Sequence, residues 1–126
     1  MAEEKNMISK PEVGGTISYS EDVIAIISGL AASEISGIAG MSGGIKSGIA
    51  ELLGKKDLAK GIKANINGEE VSVDVNLVVN YGVTIFDVVT EVQKSVKRAV
   101  EGMTGLRVTA VNINVQGVQV PKEDKE

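Results

Sequence analysis

Apolar and polar positions alternate from Val71 to Val79: Val71, Val73, Val75, Leu77 and Val79 interleave with Ser72, Asp74, Asn76 and Val78. A period of two marks a strand with one buried face. Tyr81-Gly82 breaks the strand, and the period then changes. Ile85, Val88, Val89, Val92, Val96, Ala99, Val100 and Met103 fall on one stripe covering roughly a third of a helix circumference. Thr84 with Asp87 has capping-box spacing, and Gly102 is the expected stop. Asp87 and Glu91 near the start, with Lys94, Lys97 and Arg98 near the end, suit the helix dipole. Thr109, Val111, Ile113 and Val115 then alternate with Ala110, Asn112 and Asn114 as a further strand.

Upstream, Thr16 to Tyr19 reads as a short strand. Ser20 is placed to cap a helix that has Glu21 and Asp22 in its first turn and runs to about Ile35. Val23, Ile24, Ile26, Ile27, Leu30, Ala31 and Ile35 take about half of its circumference. The opposite side carries Ala25, Ser28, Gly29 and Ala32 and no charge. A surface helix normally shows charge on its outer side, so this one is expected to be covered on more than one side. Either the chain itself supplies that cover, or Ala25, Gly29 and Ser33, spaced by four, form a self-association face.

Gly37 to Met41 reads as a glycine-broken connection. Ile45, Ile49, Leu52 and Leu53 then recur at the spacing of a short amphipathic helix, opposite Lys46, Ser47 and Glu51. Gly43, Gly44 and Gly48 weaken it, at about 1 kcal/mol for each interior glycine relative to alanine. Gly61 to Ile66 is a strand, and Asn67-Gly68 a two-residue hairpin turn. That turn predicts Ile66 opposite Glu69, Ala64 opposite Val71 and Ile62 opposite Val73. One sheet face is then apolar. The other carries Lys63, Asn65, Ser72, Asp74 and Asn76, joined by Asn112 and Asn114. Lys63 and Asp74 are placed near-diagonally on it, as a surface ion pair of little worth.

The elements run strand, helix, short helix, strand, strand, helix, strand. The expected fold is α+β: a two-layer sandwich with an about four-stranded sheet and two main helices on one face, in βαββαβ order, plus the short amphipathic helix. A ferredoxin-like split βαβ is the default topology for that order. Residues 1–14 read as a mobile tail, 15–118 as the single domain and 119–126 as a charged tail.

Composition narrows the chemistry. The 126 residues include no Cys and no His. Disulfides, thiolate nucleophiles, imidazole bases and the usual zinc ligand sets are therefore excluded. Tyr19, Tyr81 and Phe86 are the only aromatics, so the core is expected to be aliphatic. The net charge of −4 argues against a dedicated nucleic-acid binder. Met1 to Glu12 has no apolar core of a signal peptide. Val23 to Ile45 carries only Glu34 as a charge, but glycines and serines break the apolar run that a membrane span needs.

Against this acidic background Lys46, Lys55, Lys56, Lys60 and Lys63 face only Glu51 and Asp57. The cluster is either a solvated loop or a contact with an anionic surface. Gly54-Lys55-Lys56 lacks the glycine spacing and the Ser or Thr of a phosphate-binding loop. Glu69-Glu70 follows a turn, and Glu21-Asp22 suits a helix start; neither is a catalytic pair. No Ser or Thr has a His to activate it, and nothing in the sequence marks a Lys as a desolvated base. The chain reads as a non-enzyme, with no cofactor, no metal site and no small-molecule substrate. Gly37-Ile38-Ala39-Gly40 has the bare GxxG spacing of a KH domain. It leaves a KH-like nucleic-acid regulator using residues 37–63 as the alternative.

Several runs, taken in order, resemble the alkaline-shock-protein family of Gram-positive bacteria. They are Gly37-Ile38-Ala39-Gly40-Met41-Ser42-Gly43-Gly44, Leu52-Leu53-Gly54-Lys55-Lys56 with Lys60-Gly61-Ile62-Lys63, and Val79-Asn80-Tyr81-Gly82-Val83. Val92-Gln93 to Val96-Lys97, Met103-Thr104-Gly105-Leu106, and Val111-Asn112-Ile113-Asn114-Val115 with Gly117-Val118 complete them. The resemblance spans about Gly15 to Val118. It implies a non-enzymatic cytoplasmic protein of envelope stress and cell-envelope homeostasis. Some such proteins self-associate and are held at the inner face of the membrane by a small membrane-protein anchor. No catalytic residues come with it. Candidate partner contacts are Ala25 and Gly29 on the first helix, with Ile45, Lys46, Ile49, Leu52, Leu53, Lys55 and Lys56 in the following segment.

Overall fold

The computed structural model describes residues 7–8, 13–41 and 60–121. The expected amphipathic helix, with Ile45, Lys46, Ile49, Leu52, Leu53, Lys55 and Lys56, lies outside the described residues.

The alternating stretch forms the central strand. Its odd positions Val71, Val73, Val75, Leu77 and Val79 are at most 1% exposed. We label the strands β1 (Met7–Ile8), β2 (Ile17–Ser18), β3 (Ile38–Met41), β4 (Ile62–Asn67), β5 (Glu70–Asn80) and β6 (Arg107–Gln119). The helices are α1 (Glu21–Ser33) and α2 (Ile85–Thr104). Both helices pack on the odd-numbered face of β5, α1 over β4 and α2 over β6, and they pack against each other. The expected α+β two-layer class is therefore the one observed.

The topology differs in detail. β4 pairs antiparallel with the first half of β5, and β3 pairs antiparallel with Leu77–Val79 on the same edge. β6 runs parallel along the other edge, so β5–α2–β6 joins immediate neighbours with no strand between them. The short strand β2 pairs with β1 in a separate ribbon. The fourth strand of the main sheet is instead β3, in the stretch expected to be a connection. A ferredoxin-like split arrangement does not form. Gly37 makes β3 possible: at φ +102 it turns the chain back from α1, and its carbonyl accepts from Asn80 N at 2.8 Å.

The hairpin closes one step later than the sequence predicts. Ile66 pairs with Val71, Ala64 with Val73 and Ile62 with Val75. The two-residue loop is Gly68-Glu69, with Gly68 at φ +66 and no other residue of the loop at positive φ. Glycine first, with only that position left-handed, is the type II′ pattern. The register moves by two residues, so every side chain keeps its face. Lys63 consequently lies directly opposite Asp74 rather than diagonal to it.

Two bulges in β6, at Thr109 and at Gln116, adjust its register on β5. Val111, Ile113 and Val115 stay half-buried on the helix side. On the open side Asn112 Nδ2 donates to Asp74 Oδ1 at 2.8 Å, and Asn114 Nδ2 to Asn76 Oδ1 at 3.0 Å.

The helix ends also differ from the simplest reading. Ser20 Oγ accepts from Val23 N at 3.2 Å, as its N-cap position predicts. Thr84 is the N-cap of α2 but makes no side-chain capping bond, so the expected box is not formed. α2 runs through Gly102 and stops at Gly105, which takes φ +81 and donates to Glu101 O at 3.0 Å. Glu101 also accepts from Val108 N at 2.9 Å, fastening the end of α2 to the start of β6.

Two stability results follow from this packing. Leu77→Ala empties a fully buried site over the middle of β5 and is expected to cost about 2–5 kcal/mol in urea unfolding. At Gly37 an added Cβ would lie 3.0 Å from Val88 Cγ2 and 3.3 Å from Val83 Cγ1. Gly37→Ala therefore combines a strained φ with a clash, and should cost more than about 1 kcal/mol. Adding Val88→Ala should relieve the clash but not the φ strain, which thermal unfolding of the pair would resolve.

Candidate interaction surface

The two helices run antiparallel. Tyr19 OH donates to Thr104 O at 2.9 Å beside the start of α1, and Ser95 Oγ donates to Ala31 O at 3.3 Å near its end. Such close approach needs small side chains at the contact. α1 supplies them: Ala25, Ser28, Gly29, Ala31 and Ala32 are buried together with Ile24. The chain itself covers the small-residue side, so Ala25 and Gly29, expected as partner contacts, face inward. A buried side chain cannot meet a partner without unfolding its own packing.

This orientation turns other residues outward. Val23 is 40% exposed and Leu30 49%, while Ile26 and Ile27 are only half-buried. Positions i, i+3, i+4 and i+7 give one apolar ridge along the outer side of α1. Glu21, Asp22 and Glu34 flank it, and the last turn has no basic residue. The sequence reading counted these aliphatics as core. It singled out the uncharged small-residue side and left open whether the chain or a second copy covers it; the chain does.

Beyond the ridge lies an open groove of about 340 Å³ between the end of α1 and the first half of α2. Ile35 and Val88 form its apolar part, and Glu34, Asp87 and Glu91 its rim. The C-terminal half of α2 carries Lys94, Lys97 and Arg98 instead. Lys94 Nζ lies 3.9 Å from Glu91 across an exposed turn.

Other apolar side chains stand clear of the core. Tyr81 is 68% exposed, Phe86 76% and Met103 70%. Ile85 and Met103 were expected in the buried stripe of α2, but that stripe is Val92, Val96 and Val100, each fully buried. The core is aliphatic throughout.

No catalytic constellation assembles from the described acids. Glu70 pairs with Arg107 across the sheet, and Asp74 takes its bond from Asn112. Among the described residues no three metal-ligating side chains converge. Among them, too, no helix is long and apolar enough to cross a membrane. The GxxG spacing Gly37-Ile38-Ala39-Gly40 lies in the turn and strand β3, paired to β5, rather than in a loop between helices. The KH-like reading loses its structural basis there.

The described residues thus define a two-layer α+β protein whose distinctive surface is an apolar helix ridge with an acidic border. By its sequence the chain belongs to the alkaline shock/Gls24 family, of cell envelope-related function, whose pattern it matches over residues 9–120. It is 41% identical over 108 residues to the uncharacterized protein YloU of Bacillus subtilis, covering 84% of this chain and 90% of that one. It is 34% identical over 112 residues to YqhY of the same organism, covering 89% and 83%. A stress response regulator gls24 homolog of Streptococcus pyogenes is 25% identical over 112 residues, with 88% of this chain and 63% of that protein covered.

One buried group tests the helix contact. Ser28 Oγ is fully buried, with no hydrogen-bond partner among the described residues. Ser28→Ala removes an unpaired hydroxyl and adds helix propensity. The melting temperature is expected to hold or rise, by up to about 1 kcal/mol in stability. A clear fall would mean that the hydroxyl is bonded and that the packing of α1 on α2 is misassigned.

Proposed function

We propose that this chain is a non-catalytic envelope-stress protein that works by self-association at the inner face of the membrane, held there by a protein anchor. The family supports the envelope and stress setting. One structural observation carries the binding role: the solvent-facing ridge of Val23, Ile26 and Leu30 on α1. A row of aliphatics outward on a helix whose small residues are inward leaves apolar surface that a partner can cover. A scaffold gains a contact, since an amphipathic helix face is a standard means of joining two proteins.

The absence of His and Cys fits the same role, because a scaffold needs no nucleophile or base. The acidic border of α1 keeps the ridge from binding indiscriminately. A protein anchor also suits an acidic chain, which anionic lipid headgroups alone would repel.

Leu30→Glu with Val23→Glu places two charges on the ridge without touching the core. Analytical ultracentrifugation should show the native protein in assemblies that the double variant loses, with unchanged circular dichroism. In cells, the variant should move from the membrane fraction to the soluble fraction. A native protein that stays monomeric at high concentration and never sediments with membranes would end this reading.

A further inference from the structure

β6 is a long edge of the main sheet. Among the described residues its strand partner is β5 alone, so its outer side meets no other strand. An open edge is a template for a further strand, and proteins usually blunt it with lysine, proline or a short length. β6 uses none of these. It runs for 13 residues, and Val108–Gln119 contains no charge and no proline. Its bulges, at Thr109 and Gln116, leave Ala110–Val115 regular between them.

Side chains of α2 show which way this edge looks. Gln93 Nε2 donates to Val111 O at 3.0 Å, so that carbonyl is turned away from β5. A side-chain amide thus stands where the N–H of an added strand would stand. Alternate residues of a strand direct their N–H and C=O to the same side, so Ile113 and Val115 direct theirs outward too. Beside the edge, α2 and β6 border an open groove of about 220 Å³. Val108, Ala110 and Val111 line it from the strand, and Gln93, Lys94 and Lys97 from the helix. Lys94 and Lys97 are exposed, in a chain whose net charge is −4. Lys94 lies 3.9 Å from Glu91, and among the described residues no carboxylate bridges to Lys97.

We propose that the outer edge of β6 receives an extended acidic segment of a partner protein as a further strand of the sheet. Main-chain hydrogen bonds to β6 give such a contact its affinity, and alternate side chains give it specificity. On the helix side the segment sets an aliphatic residue into the groove and carboxylates beside Lys94 and Lys97. On the open side it lies next to Asn112 and Asn114 and is polar. A second copy of β6 fits less well. It brings no carboxylate, and continuing the sheet that way sets the lysines of two α2 helices against each other. This edge is separate from the ridge of α1, and its partner does not depend on self-association there.

The test uses the synthetic peptide Thr-Glu-Thr-Val-Thr-Glu-Thr, which carries its valine and glutamates on one side of a strand. Titrated at low salt, it should shift the amide signals of Ala110–Val115 in nuclear magnetic resonance and leave those of β4 in place. Lys94→Glu with Lys97→Glu, at exposed sites of α2, should weaken binding roughly tenfold or more. The same variant should prefer the peptide with lysine in place of glutamate. Two N-methylated peptides separate an added strand from simple charge attraction. Methylation of one alternate set of residues removes the N–H groups that face β6 and should abolish binding; methylation of the other set should leave it. Equal effects of the two patterns overturn the proposal, as does a native protein whose β6 amides do not move. If those amides shift when protein concentration alone is raised, a second copy holds the edge and the proposal fails.

Discussion

Burial of one face of β5 is the constraint on which the rest of the structure depends. Five alternating aliphatics present a flat apolar strip at most 1% exposed. The other strands of the main sheet and both helices are placed by the need to pair or cover that strand. β4 and β3 share one edge and β6 takes the other, so no edge of β5 is left open along those pairings. Apolar burial is worth about 25 cal/mol per Å². The strip therefore outweighs local preferences, such as the capping box at Thr84 that does not form.

Two helices over a sheet this narrow must lie close together. That requirement explains the face chosen by α1. Small side chains at a helix contact let backbones approach, and the hydroxyl of Ser95 then reaches the carbonyl of Ala31. Had α1 buried Val23, Ile26 and Leu30 instead, the bulk would have held α2 away from β6. The outward ridge is thus a consequence of packing as much as a feature for binding.

The same economy separates scaffold from function. The polar face of the sheet is held by side-chain bonds that join Asp74 to Asn112 and Asn76 to Asn114. The helix layer carries the exposed apolar groups and the segregated charges. In this member of a cell envelope-related family, these are the surfaces on which the proposed protein contact rests.

Periodicity alone determined much of this chain. The strand at Val71–Val79, the helix after Thr84, the existence of a hairpin near Gly68 and the polar open face all follow from alternation, helical spacing or turn residues, because each is a local pattern. The composition removed thiol and imidazole chemistry just as directly. Tertiary structure decided what local pattern cannot carry. Gly37 made a strand of a glycine-rich connection because β5 had an unpaired stretch beside it. The hairpin register shifted by two residues, a change that parity in the sequence does not detect. Above all, both sides of α1 were uncharged, so the sequence held no signal for which one turns inward. The distance between two helices settled that, and with it the place of the candidate surface.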